Sequence, residues 1–243
     1  MRTATALVMT LALVLGVACS GDKGSSSDTP IARKYARYTA PVYRDKEFTQ
    51  WLTALEKAEA VDLLAEEKYT TQGKQSKALS KIRLSDDKTG YTESAHLADG
   101  VVVFTADDVK TYQRPNAAAP LGTPAAKGSL GFITEEKADW VKVFTWRAGD
   151  KWGSEQWVKE GYSANESLVR DAREYEKALA LLADAKKSSR DKARETLAEL
   201  AAGDSVIAAL AKKKLEKLTG DDDAREKSRE DGGKAQDAPA AKK

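Results

Sequence analysis

The 243-residue chain predicts a mainly β architecture that turns helical: two small β-barrels in tandem, a short helical bundle, then a disordered tail. Three observations carry this. From about Ala32 to Ser163, brief apolar or alternating runs are bounded by Gly, Asp, Asn or Lys, the pattern of half-buried strands in a small barrel or sandwich. Those runs repeat within the segment. After Ser163 the apolar spacing changes from two to about three and a half. Aromatics are 7% of residues, which suits small packed units better than one thick core. A formal net charge of +2 with interleaved signs excludes a single-sign field, so composition gives no case for nucleic acid.

In chain order, Arg2 precedes "ALVMTLALVLGVA", an apolar run short for a mature membrane span, and residues 1–18 read as an export signal. Cys19, the one cysteine, follows directly. A lone cysteine makes no internal disulfide, and a signal cut near Ala18 without further chemistry would leave a reactive free thiol. Here the chain resembles bacterial lipoproteins, in which the thiol ending the signal is diacylated and begins the mature protein. Val17 and Ala18 match that pattern, while Gly16 stands where the family prefers Leu. The resemblance implies a lipid anchor on Cys19, each buried CH₂ adding about 0.8 kcal/mol of membrane association. Residues 19–31, with "SGDKGSSSD", then serve as a flexible linker. By resemblance to Gram-negative lipoproteins, Ser20 rather than Asp after the Cys favours the periplasmic face of the outer membrane if the envelope is Gram-negative.

The strand runs are "TAPVYR", "EAVDLLAEE", "SKIRLS" and "GYTES", then "DDVKTYQR", "GSLGFITEE", "DWVKVFTW" and "EQWVKE". Tyr43 matches Tyr112, Val61 matches Leu130, Leu63 matches Phe132 and Glu66 matches Glu135, with a near-constant offset; Ile82 and Leu84 then match Val141 and Val143, and Tyr91 matches Trp157. Two copies of one unit follow, residues 32–99 and 100–163. "KGSLGFITEEKADWVKVFTW…GDKWGSEQWVKEGY" resembles bacterial SH3 (SH3b) domains: a basic-Gly turn, a β-run, acidic residues, "DWVKV", a hairpin and a closing "WV…Y". The first copy is more divergent, with Lys81 against Trp140 and a polar insertion, "KYTTQGKQSKAL". The resemblance implies two barrels of about five strands and says little about ligand.

Val61, Leu63, Leu130, Phe132, Ile133, Val141 and Val143 are expected to line the barrel interiors. "GVVVF" joins the copies almost without a linker, so it is expected to be the first strand of the second copy or a seam between the two. Residues 164–220 carry three helical patterns: Leu168, Tyr175, Leu179 and Leu182, capped by Asn165 or Ser163; Ala193, Leu197 and Leu200; and Ile207, Leu210, Lys214 and Leu218, closing at Gly220. Their apolar stripe can dock on the second barrel, close on itself or meet another molecule. Residues 221–243 hold no large apolar residue and are expected to be disordered.

SH3b units often accompany peptidase domains that use a Cys and a His. Here Cys19 lies at the signal boundary and His96, the single histidine, near the end of copy one, so nucleophile and base have no candidates. No metal-ligand cluster, phosphate loop or serine elbow is present; "SDD" at residues 85–87 reads as a hairpin turn. The expectation is a non-enzymatic binding or scaffold module without cofactor, its ligand a cell-wall peptide or an envelope protein; a glycan hydrolase built on carboxylates alone is the lesser alternative. Trp146, Arg147, Lys151 and Trp152 around "RAGDK" are the first candidate surface, unless the two tryptophans merely pack across strands. Tyr43, Tyr112 and Arg114 are the second, in the loop region that helps form the ligand groove of SH3-like folds.

Overall fold

The computed structural model describes residues 29–69, 76–146 and 153–234. Cys19 and its linker up to residue 28, and Arg147, Lys151 and Trp152 of the first candidate surface, lie outside them. Twelve strands and three helices follow one another in the described part, strands first.

The first sheet comprises β1 (Ala32–Ala36), β2 (Ala40–Tyr43), β3 (Trp51–Leu55), β4 (Ala60–Tyr69), β5 (Lys77–Arg83), β6 (Thr89–Glu93) and β7 (Leu97–Ala98). Its spatial order is β3-β2-β6-β5-β4-β1-β7, antiparallel throughout. The second holds β8 (Gly100–Phe104), β9 (Leu130–Lys137), β10 (Trp140–Thr145), β11 (Ser154–Val158) and β12 (Tyr162–Ser163), in the order β11-β10-β9-β8-β12. Single bridges from Tyr112 to Trp157 and to Pro120 extend it beyond β11. The run "DDVKTYQR" is therefore not a full strand: among residues 105–125, Val109 pairs with Ala125 and Tyr112 with its two partners, and turns fill the rest. Pro115 and Pro120 limit ladder pairing there. The polar insertion of the first copy is in part strand, since β4 runs to Tyr69 and β5 starts at Lys77.

The two sheets repeat one connectivity, and the ladders fix which residues correspond. Tyr43 pairs with Tyr91, which pairs with Lys81; Tyr112 pairs with Trp157, which pairs with Lys142. Leu63 pairs with Ile82, and Ile133 with Val143. Each sheet has a bulge at the same place, with Leu64 and Thr134 as the extra residues. The Tyr43–Tyr112 and Tyr91–Trp157 matches agree with this register. Leu63 instead matches Ile133 rather than Phe132, Lys81 matches Lys142 rather than Trp140, and Ile82 matches Val143 rather than Val141.

The one-residue slip at Leu63 moves side chains to the opposite face. Ile133, Val141 and Val143 fill the interior of the second unit with Val102, Phe104 and Val158. Leu130 and Phe132, expected beside them, point the other way and join Val101, Val103 and Ala98 in a seam with the helices. Strand β8 is consequently buried on both faces, which is why it reads as an unbroken apolar run. Val61, Leu63 and Ile82 do line the first unit, with Val42 and Leu55.

The helices are α1 (Glu166–Leu182), α2 (Lys187–Ala201) and α3 (Val206–Lys234). Asn165 caps α1, its side-chain oxygen accepting from the Ser167 and Leu168 amides at 3.0 and 3.2 Å. The helices both close on themselves, through Ala178, Ala193, Leu197 and Ala211, and dock on the second sheet, where Val169, Ala172 and Ile207 meet Leu130 and Phe132. Each such large apolar side chain, fully buried, contributes about 1.5–3 kcal/mol. Gly128, at φ +81°, turns the chain into β9 directly under α3; a Cβ there would sit 2.3 Å from Leu210 Cδ1. Helix α3 does not close at Gly220 but continues to Lys234, through part of the expected disordered tail.

Candidate functional site

Residues 40–51 and 91 build an aromatic corner at one edge of the first sheet. Tyr43 stacks obliquely on Phe48, with ring centroids 5.0 Å apart, and lies between Tyr91 and Trp51 in the ladder. Trp51 is 64% exposed on β3, which terminates the sheet order. The loop before it is held by Asp45, whose carboxylate accepts from the Thr49 hydroxyl and the Thr49 and Gln50 amides. Those hydrogen bonds outweigh a desolvation that acts to raise its pKa, so Asp45 stays below the usual carboxylate range. Lys46 pairs with Glu67 and lies 5.6 Å from the Tyr91 ring centroid. The sequence reading singled out Tyr43 but missed Trp51. Its signal was available: "WLTAL" is a short run whose leading Trp follows the polar Thr49 and Gln50.

The corresponding position of the second sheet is a cleft of about 350 Å³. Tyr112 meets Trp140 edge to face at 4.9 Å and 87°. Lys110 and Lys159 line the cleft together with Asp107, Asp108 and Glu160. Lys159 donates to Asp139 at 2.7 Å and lies 5.7 Å from the Trp140 ring centroid. That hydrogen bond raises the Lys159 pKa and lowers that of Asp139. Arg114 is exposed in the turn after Tyr112. Aromatic faces beside charges of both signs suit a peptide that carries amine and carboxylate groups.

Trp146 does not belong to either surface. It sits half-buried in the seam, 4.8 Å from Phe144 and 6.2 Å from Phe132, both edge to face. Lys57 of the first unit lies 4.6 Å over its ring and donates to Glu176 of α1 at 2.7 Å. Trp146 therefore fastens the first unit, the second sheet and α1 together. Its bias to the seam arises because β10 continues the face that carries Phe144 past Thr145. Tyr43, Tyr112 and Arg114 thus fall on two separate surfaces, with Trp146 on a third.

His96 is held as a structural residue would be. The Thr92 hydroxyl donates to Pro41 O at 3.0 Å, which leaves its oxygen to accept from His96 Nδ1 at 3.1 Å. Tyr38 meets the imidazole edge to face at 5.4 Å. Among the described residues no group of three or more His, Cys, Asp or Glu is placed to hold a metal ion, and no helix is long and apolar enough to cross a membrane.

A family model described as Lipoprotein LenA matches residues 6–228, a span that includes Cys19. No curated protein matches the chain. Among solved structures, one entitled "Structure of NlpC2 from Trichomonas vaginalis" is similar over 63% of this chain and 56% of that one, at 10% identity with a TM-score of 0.24. The chain so spans little more than half of that protein, and a TM-score this low carries no argument about fold or chemistry.

Proposed function

The chain belongs to the Lipoprotein LenA family, and from that premise we propose a non-catalytic binding protein of the bacterial cell envelope, anchored by acylation of Cys19. The two repeated sheets are taken as divergent SH3-like units, and the anchor as facing the periplasm from the outer membrane where the envelope is Gram-negative. The ligand is a cell-wall peptide, seated in the cleft of the second unit. One observation supports this above others: Tyr112 and Trp140 form a right-angled aromatic wall flanked by lysines and carboxylates, at the same place in the repeat where the first unit carries Tyr43. No nucleic acid or cofactor enters the reading.

A test is co-sedimentation of the full protein with isolated peptidoglycan. Binding above a control, weakened about tenfold or more by Tyr112→Ala with Arg114→Ala, is the expected result. No pelleting above the control would sink the wall-peptide ligand. The second reading is a protein partner, favoured by the exposed Trp51 on the terminal strand. Trp51→Ala would then abolish recovery of an envelope protein by crosslinking in intact cells while leaving peptidoglycan pelleting unchanged.

A further inference from the structure

Another cleft lies elsewhere, about 420 Å³ between β1, the start of β4 and the first turns of α1. Three guanidinium groups, Arg33, Arg170 and Arg173, line it against one carboxylate, Glu166. Ala58, Val101 and Val169 supply an apolar floor from the first unit, the second unit and α1. Small-molecule sites favour such junctions, with a mostly apolar floor and a few convergent polar groups.

The arginines are only loosely engaged by neighbouring acids. Arg33 Nη1 lies 3.6 Å from Glu166 Oε1, Arg170 Nε 3.8 Å from Asp171 Oδ1, and Arg173 Nε 3.3 Å from Glu174 Oε1. Each pairing uses one nitrogen of a group with five N–H donors in a planar fork. Asp171 and Glu174 do not line the cleft. The α1 N-terminus adds little, since the Ser167 and Leu168 amides already donate to Asn165.

We propose that this cleft is a second binding site, independent of the aromatic cleft, for a compact organic oxyanion: a carboxylate or phosphate head gripped by the arginine forks, with an apolar body on Ala58, Val101 and Val169. The head displaces Glu166 from Arg33. Because the three arginines come from β1 and α1, the ligand also ties the first unit to the helices.

Calorimetric titration of the full protein in zwitterionic detergent micelles tests this with phenyl phosphate, benzoate, inorganic phosphate and neutral benzamide. Phenyl phosphate and benzoate are expected to bind with near-unit stoichiometry, and the tighter of the two identifies the preferred head. Inorganic phosphate, lacking a body, binds more weakly, and benzamide at least about tenfold more weakly. Arg170→Gln and Arg173→Gln each weaken phenyl phosphate by about tenfold or more. Glu166→Gln strengthens it, because no carboxylate then competes for Arg33. Benzamide binding as well as benzoate, no binding of either aromatic anion, or unchanged affinity in Arg170→Gln and Glu166→Gln would each overturn the proposal. Those two side chains are 68% and 71% exposed, so the result does not hinge on Arg173→Gln folding. A variant of Tyr112 leaves this titration unchanged, so failure here and failure of the wall-peptide reading are distinguishable.

Discussion

Phe132 separates the register seen in the structure from the one its repeat pattern suggests. It is fully buried in the seam and meets Trp146 edge to face. Phe132→Ala loses about 3 kcal/mol of apolar transfer, and the ring contact adds about 0.5–1.5 kcal/mol. With partial collapse of the cavity, about 3–5 kcal/mol of destabilisation is expected. Urea denaturation of Phe132→Ala, Trp146→Ala and the double variant gives the coupling between the two rings, expected at about 0.5–1.5 kcal/mol. The same cycle with Val141→Ala serves as the comparison, since Val141 packs in the interior cluster on the opposite face. Its coupling to Phe132 is expected to be smaller than about 0.5 kcal/mol. Strong coupling of Phe132 to Val141 with none to Trp146 would refute the placement of Phe132 in the seam.

Three further outcomes are expected. Gly128→Ala destabilises by about 1–3 kcal/mol, through left-handed backbone strain and the Leu210 contact at 2.3 Å; thermal melting checks it, and an unchanged Tm would mean that the turn relaxes freely. Asn165→Ala removes the α1 cap and costs about 1 kcal/mol, whereas Asn165→Asp restores the loss in the same melting assay. Burial holds the His96 pKa below the ordinary histidine value despite Glu93, which acts to raise it. The unfolded chain therefore takes up the proton first, so this contribution is present above about pH 6.5 and is lost as pH falls through the lower folded value. Denaturation midpoints from pH 7.5 to 5 are expected to fall less steeply in His96→Asn, and parallel profiles would count against a buried neutral imidazole.

How far the sequence carried the fold depends on the residue. The strand runs, the repeat and the change to helical spacing were legible because each rests on local alternation. Tyr43 and Tyr112 were paired correctly because each stands opposite its own partner, Tyr91 or Trp157, in a ladder. Phe132 was misplaced because a constant offset along the repeat aligns it with Leu63, whereas the ladders align Leu63 with Ile133, one residue further on. Strands β1 and β3 escaped notice since "ARKYA" and "WLTAL" do not alternate cleanly, and Trp51 was lost with β3.

By itself the sequence determined the order of the described part: two β units and then helices. Those features follow from composition and periodicity, which act over a few residues. Only the tertiary structure decided which aromatic residues are surface and which are mortar. Trp146 and Tyr112 look alike in the chain, yet one is closed over by Lys57 and α1 while the other fronts a cleft. It also brought Arg33 next to Arg170 and Arg173, more than a hundred residues away. Burial and charge convergence depend on which faces meet across long loops, and that is set by the packing of β8 and α1 against one another rather than by any local pattern.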